Sequence, residues 1–261
     1  MSFRTASFTH RGGVRKHNED ALLDATEAGV WVVADGMGGY QAGDVASQLA
    51  CDTVAGELRR AGNLISPADL ERALCEANSR IRQYGRESLD NQTLGSTVVA
   101  LFIEGDRYHL FWAGDSRCYV IRKREVEQIS RDHSQVAEMV DRGILQASEA
   151  ERHPLAHVIT RALGVDDTVA LDYRTGPVAR GDTFLLCSDG VSKEFSHANL
   201  AGFLRDGEIE EAGQAIMHSA LVNKCNDNIS CIIVNVGGHC YSSPALDNTE
   251  DMTVPIRSQT V

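Results

Sequence analysis

No stretch of this chain approaches the ~18 consecutive apolar residues that a bilayer-crossing helix needs, so no helical membrane span is expected. The opening MSFRTASFTHRGGVRKHNED has no apolar core, and an export signal is not expected there. Positive charge is also scarce: 25 Lys and Arg stand against 37 Asp and Glu, a net charge of −12. A surface that acidic repels phosphate backbones and anionic headgroups, which excludes nucleic acid and membrane surfaces as first partners. Seven cysteines are scattered with no Cys-x-x-Cys pair, an odd set that points to reduced thiols and a cytoplasmic location. Only five prolines and 43% hydrophobic residues describe an ordinary globular chain, long enough to build its core without disulfide or metal staples.

What is present is a mixed pattern of strands and helices. Ser2–His10, Ala21–Asp24 and Val30–Ala34 read as strands, and Gly43–Arg60 carries Val45, Leu49, Val54 and Leu58 at helical spacing. A second helix starts at Ser66 as cap with Pro67 in its first turn, and buries Leu70, Leu74, Ala77 and Ile81. Thr97–Ile103, Tyr108–Trp112, Cys118–Ile121 and Val126–Ile129 then follow as short strands with no helix between them, which argues for antiparallel sheet. Ser134–Leu163 is helical but irregular, Val169–Tyr173 and Thr183–Cys187 return to strand, and Ala198–Leu204 and Glu208–Val222 read as helices. Ile229–Val236 closes the series as a buried strand. Residues 1–236 are expected to form one domain of mixed α and β, and 237–261, rich in Ser, Thr, Pro, Asn and acid, a flexible tail.

The aspartates carry the chemical signal. VWVVA runs into Asp35-Gly36, HLFWAG into Asp115 and TFLLCS into Asp189-Gly190, while Asp227-Asn228 opens ISCIIVNV. Four apolar strands therefore each place a carboxylate at one end. If those ends share a rim, the carboxylates converge, and convergent buried carboxylates require a cation. Oxygen donors without His or Cys suit Mg²⁺ or Mn²⁺. The alternative is plain: Asp-Gly is a turn signal, and the chain has a third copy at Asp206-Gly207. Spacing alone leaves both readings open. Paired hard cations would acidify water and neutralise an anionic substrate, which points to phosphate ester hydrolysis. Arg15, in the loop before Asn18-Glu19-Asp20, has the chemistry to grip phosphate oxygens, or it is a solvated loop charge.

Rival motifs fail on local grounds. Gly36-Met37-Gly38-Gly39 lacks the Lys-Ser/Thr of a nucleotide loop. Cys118 and Arg124 have the spacing of a cysteine phosphatase, but Tyr-Val-Ile-Arg-Lys between them is strand, not a phosphate cradle. Gly-x-Ser-x-Gly is absent. Among nine histidines none pairs with a glutamate at metal-binding helical spacing; His133 in Arg-Asp-His-Ser stands out, yet helix capping by Asp132 or Ser134 explains that stretch as well.

Taken in order, Arg15-x-x-Asn18-Glu19-Asp20, Val33-Ala34-Asp35-Gly36-Met37-Gly38-Gly39, Gly95-Ser96-Thr97, Ala113-Gly114-Asp115-Ser116-Arg117, Arg131-Asp132-His133-Ser134, Ile159–Gly164, Cys187-Ser188-Asp189-Gly190 and Asn226-Asp227-Asn228 closely resemble the metal-dependent Ser/Thr protein phosphatases of type 2C, in their bacterial form. The resemblance spans about residues 5–236. It implies an α+β fold, an αββα four-layer sandwich of two antiparallel sheets flanked by helix pairs. It also implies hydrolysis of phosphoserine and phosphothreonine by a metal-activated water at a binuclear Mn²⁺/Mg²⁺ centre. By position, Asp35, the Gly36 carbonyl, Asp189 and Asp227 resemble the ligands of the paired ions, and Asp115, sharing Asp189, resembles a ligand of a weaker third. Arg15 resembles the phosphate-binding arginine and Asp20 a carboxylate beside the attacking water, with Asn228 in support. Gln135–Pro154 corresponds to a mobile flap. Two departures stand out: Met37 occupies the place where some members have a histidine that protonates the leaving group, and Tyr40 the place where bacterial relatives often have one. Expected partners are phosphoproteins made by a Ser/Thr kinase, with the chain itself a monomer. The alternative is a phosphoprotein-binding regulatory module that has lost turnover.

Overall fold

In Val30–Ala34 every side chain is buried, and neighbouring residues point into different cores. That is why VWVVA reads as a continuous apolar run rather than an alternating one: its strand has protein on both faces. The computed structural model describes residues 1–237 apart from 39–41, 63, 91, 124, 151, 206 and 207. In chain order the elements are β1 (Phe3–His10), β2 (Asp20–Ala25), β3 (Val30–Gly38), α1 (Gly43–Arg60), α2 (Pro67–Ser88) and β4 (Leu94–Ser96). They continue with β5 (Val98–Glu104), β6 (Arg107–Ala113), β7 (Arg117–Arg122), β8 (Glu125–Gln128), α3 (Gln135–Asp141) and α4 (Ala147–Ala150). The last are β9 (Asp172–Pro177), β10 (Thr183–Cys187), α5 (Asp189–Ser192), α6 (His197–Phe203), α7 (Ile209–Val222) and β11 (Ile229–Val236).

One sheet has the order β1-β11-β10-β7-β8 and the other β2-β3-β5-β6-β9, with β4 added to the far end of β3. Every pairing is antiparallel. Trp31, Val99, Leu101, Leu110, Phe184, Leu186, Ile232 and Val234 fill the space between the sheets. Val32, Val98 and Ala100 face the other way, against Val54, Leu58, Leu74 and Ile81 of α1 and α2. Leu185, Cys231 and Ile233 do the same against Ile216 and Met217 of α7. The layers are helix, sheet, sheet, helix, the expected αββα sandwich.

Helix starts follow local chemistry. Ser66 caps α2, its Oγ accepting from the Asp69 N–H while Asp69 accepts from the Ser66 N–H, a reciprocal capping box. Ser134 caps α3 through the Ala137 N–H, which settles the Asp132-or-Ser134 question.

One open reading is settled and one expectation is corrected. Asp35-Gly36 is not a turn: β3 runs through it to Gly38, because Gly36–Gly38 pair with β4. The strand expected at Val169–Tyr173 begins instead at Asp172, where pairing with Trp112 of β6 sets the register; Val169 and Leu171 pack on the helical core. The expected tail from residue 238 onward, Tyr40, Arg124 and the third Asp-Gly at 206–207 lie outside the described residues.

Leu101, fully buried between the sheets, tests the layer assignment. Leu101→Ala should cost about 2–5 kcal/mol in denaturant unfolding, whereas a loss under ~1 kcal/mol would mean that the inter-sheet layer collapses freely around the gap.

Candidate metal centre

The fold sets four strand ends on one rim. Cys187, the last residue of β10, pairs with Cys231 of β11, so Asp189 after β10 and Asp227 before β11 start from the same edge. In the other sheet Asp20 lies directly across the ladder from Asp35. Asp115 sits in the link from β6 to β7, where the chain passes from one sheet to the other. Ser188, fully buried, ties the two halves: its Oγ donates to Asp20 Oδ2 at 2.8 Å and its N–H to the Ser230 carbonyl at 3.0 Å.

Between these ends lies a cleft of about 520 Å³. Asp35, Asp115, Asp189 and Asp227 line it together with Arg15, Glu19, Gly36 and Asn228, and Asp20 stands behind its wall. Both Asp-Gly glycines are held by close approach. A Cβ on Gly36 would collide with the Gly43 carbonyl oxygen, and one on Gly190 with that of Asn228. Neither position accepts a larger residue without moving the acid beside it.

The electrostatics show convergence. Burial, then the charges of Asp20, Asp189, Asp115 and Asp227, hold the Asp35 carboxyl well above the usual carboxylate range. Burial likewise pushes Asp20 up to about 7, against the opposing hydrogen bonds of Ser230 and Ser188 and with Asp189 and Asp227 adding to the rise. Asp115 is raised by burial although Lys193 opposes it, and Glu19 by burial although Arg15 opposes it. Such a set keeps its charge only beside cations. Two are already in place: Arg15 donates to Asp227 Oδ2 at 2.9 Å and to the Asn226 carbonyl at 3.2 Å, and Lys193 donates to Asp189 and Asp115. Burial works against the Lys193 ammonium, but Asp189 and Asp115 outweigh it and raise its pKa.

Do these residues fit divalent ions? Among the described residues no three Asp, Glu, His or Cys side chains already stand close enough together to hold a metal ion. The acids line an open cleft instead. Yet Asp20 Oδ1 and Asp189 Oδ1 are buried with no hydrogen-bond donor, in a molecule where buried polar atoms are almost always paired. Two orphaned carboxylate oxygens on neighbouring acids, in an all-oxygen set, fit hard divalent ions.

Supporting residues are equally specific. Asn228 accepts from the Glu19 N–H and donates to the Arg11 and His17 carbonyls, pinning the loop that carries Arg15. His133 lies outside the cleft lining: its Nδ1 accepts from the Gly114 N–H and its Nε2 lies 3.2 Å from Asp172. Burial lowers its pKa, and it serves to hold the Gly114–Asp115 turn as a neutral ring. Met37 lines the cleft, as do His157 and Ile159, just beyond the segment expected to be the flap. Sequence reasoning missed Lys193, whose place four residues after Asp189 is too common a pattern to mark it, and it missed Ser188 as the link to Asp20.

Known proteins share this sequence pattern and fold. The family described as Protein phosphatase 2C matches residues 10–223. The serine/threonine phosphatase stp of Listeria innocua is 31% identical over 234 residues, covering 87% of this chain and 93% of that protein. A solved structure of PppA, described as a key regulatory component of T6SS in Pseudomonas aeruginosa, superposes with TM-score 0.80 at 41% identity, covering 90% and 98% of the two chains. The catalytic domain of the serine threonine protein phosphatase PstP, solved with two manganese ions, gives TM-score 0.81 at 31% identity, covering 89% and 97%.

A carboxyl raised from its ordinary ~3.9 to about 7 holds a proton in the folded chain that the unfolded chain releases. The stability this gives is complete below about pH 4 and is lost as pH rises through about 7, by at most about 1.4 kcal/mol per pH unit. Chelator-stripped Asp20→Asn should therefore melt above stripped wild type at pH 8, with the gap closing toward pH 5; an equal gap at both would show that Asp20 titrates as an ordinary surface acid.

Proposed function

This chain belongs to the protein phosphatase 2C family and is a metal-dependent serine/threonine protein phosphatase, and we propose the roles its residues take in that reaction. Asp35, the Gly36 carbonyl, Asp189 and Asp227 hold a pair of Mn²⁺ or Mg²⁺ ions. The observation that carries this reading is the convergence of raised, buried carboxyls with two donorless oxygens at the rim. When bound, the ions acidify water and offset the charge of the phosphate.

The chain's own groups do the rest. Asp20 Oδ1, buried and without a donor, accepts a hydrogen bond from the water that attacks phosphorus. Ser188 fixes the other carboxyl oxygen of Asp20, so the acceptor has one orientation. The Arg15 guanidinium is half exposed at the cleft and keeps donors available for phosphate oxygens beyond those spent on Asp227 and Asn226. Burial pulls its pKa down but Asp227, Glu19 and Asp35 raise it, so the cation persists at any working pH. Asn228 sets its reach by pinning its loop. Met37 has no proton to give, so the leaving seryl or threonyl oxygen takes its proton from elsewhere in the open cleft.

Phosphoproteins are the substrate class. We further propose that they are products of a Ser/Thr kinase and that the chain acts as a monomer in the cytoplasm. Its acidic surface and scattered thiols support that placement, and no helix among the described residues is long and apolar enough to cross a membrane. Residues 1–236 act as one catalytic domain, the remainder as an appendage.

Asp35→Asn should lower phosphopeptide turnover at least about 10²-fold while leaving the protein folded, because a ligand is lost from the ion pair. Arg15→Ala removes a charge-assisted grip worth about 1.5–3 kcal/mol, so kcat/KM should fall about 10- to 100-fold. Turnover of a phosphothreonine peptide, assayed with Mn²⁺ and with excess chelator, checks both; hydrolysis unaffected by chelator would overturn the reading.

A further inference from the structure

Lys193 is a cation held by two of the acids that line the cleft, and the catalytic roles above leave it unused. It follows α5 directly, and its Nζ lies 2.6 Å from Asp189 Oδ2 and 3.3 Å from Asp115 Oδ2. The ammonium thus joins an acid after β10 to an acid in the link between the two sheets. His157 Nδ1, at 3.3 Å, completes its partners. Its side chain is only 29% exposed, and Asp115 is buried, so this contact is largely buried and not a surface ion pair.

The same two acids are the ones that the family resemblance assigns to a third, weaker divalent ion. An ion there would need oxygens of both carboxylates at about 2.1 Å. The ammonium already takes one oxygen of each, and a divalent ion beside it would meet a like charge at contact distance. The ammonium is also tethered to the chain, so dilution and chelation do not remove it. We propose that Lys193 is a built-in cation that replaces the third ion, so that this phosphatase works with two metal ions and not three.

The geometry divides Asp189 between two tasks. Its Oδ2 answers to Lys193, while its Oδ1, buried and without a donor, remains for the paired ions. Lys193 is therefore a positioning residue: it touches Asp189 and Asp115, not the phosphate, and it fixes the Asp189 carboxylate that would serve the ion pair. Asp115 is then the anchor of the lysine and not a metal ligand. This inference rests on the reading of Asp35, Asp189 and Asp227 as ligands of the ion pair.

The test counts ions. Crystals of the full-length protein and of Lys193→Met, soaked in millimolar Mn²⁺, are examined by anomalous scattering at the manganese edge, and Mn²⁺ bound per chain in solution is counted from the free-ion EPR signal. Wild type should show two ions and no peak between Asp115 and Asp189, and Lys193→Met should gain a third ion there, moving the count from two to three. Lys193→Arg, which keeps the charge, should stay at two. A third ion in wild type with the lysine displaced would overturn the proposal while leaving the ion-pair ligands standing, as would a Lys193→Met protein that folds and stays at two. No ion at all in wild type would overturn the ligand assignment and this inference together. Should Lys193→Met fail to fold, the wild-type map decides alone.

Discussion

Mutual repulsion among buried carboxylates is the constraint around which this molecule is organised. Asp20, Asp35, Asp115, Asp189 and Asp227 are drawn from five separate places in the chain, and the charges of the other four raise the cost of ionising Asp35. A fold driven only by apolar burial would disperse them. They persist together because cations hold them: Arg15 on Asp227, Lys193 on Asp189 and Asp115, and divalent ions at the oxygens that no donor satisfies. Specific stability elsewhere makes room for this strain, in three apolar layers whose strands are packed on both faces.

The sandwich delivers the acids because strand ends, unlike strand middles, can place carboxylates beside one another without interrupting the core. Antiparallel pairing puts the start of β2 beside the end of the apolar part of β3, and the end of β10 beside the start of β11. Ser188 then bridges the sheets by spending its hydroxyl on Asp20 and its amide on Ser230. The glycines after Asp35 and Asp189 matter for volume: backbone from another segment sits where their side chains would be. The acid is held in place by what cannot fit beside it.

Much of this was legible in the residues. Gly43–Arg60 and Thr183–Cys187 have the bounds their patterns imply, and Ser66, Pro67 and Asp69 announce the start of α2. Strands buried on both faces are readable as unbroken apolar runs, which is why VWVVA and ISCIIVNV were plain. The ladder partners were not. Asp35-Gly36 carries the composition of a turn, and only the arrival of β4 makes it strand. Val169–Tyr173 alternates like a strand, but β6 offers its edge only from Asp172 onward. At the site, the aspartates were legible because each abuts an apolar run. Lys193 was not, because a lysine four residues beyond an aspartate on a helix start is commonplace, and its second partner, Asp115, lies 78 positions away.

The first strand and the last are neighbours: β1 pairs along its whole length with β11, and β11 alone separates it from β10. On a ribosome, β1 emerges first and has no sheet partner until residue 229 has left the tunnel. Arg15 is synthesised early, but Asp227 and Asn228, which hold it and its loop, come near the end. The grip on Arg15 is thus completed only by residues more than 200 positions further along the chain.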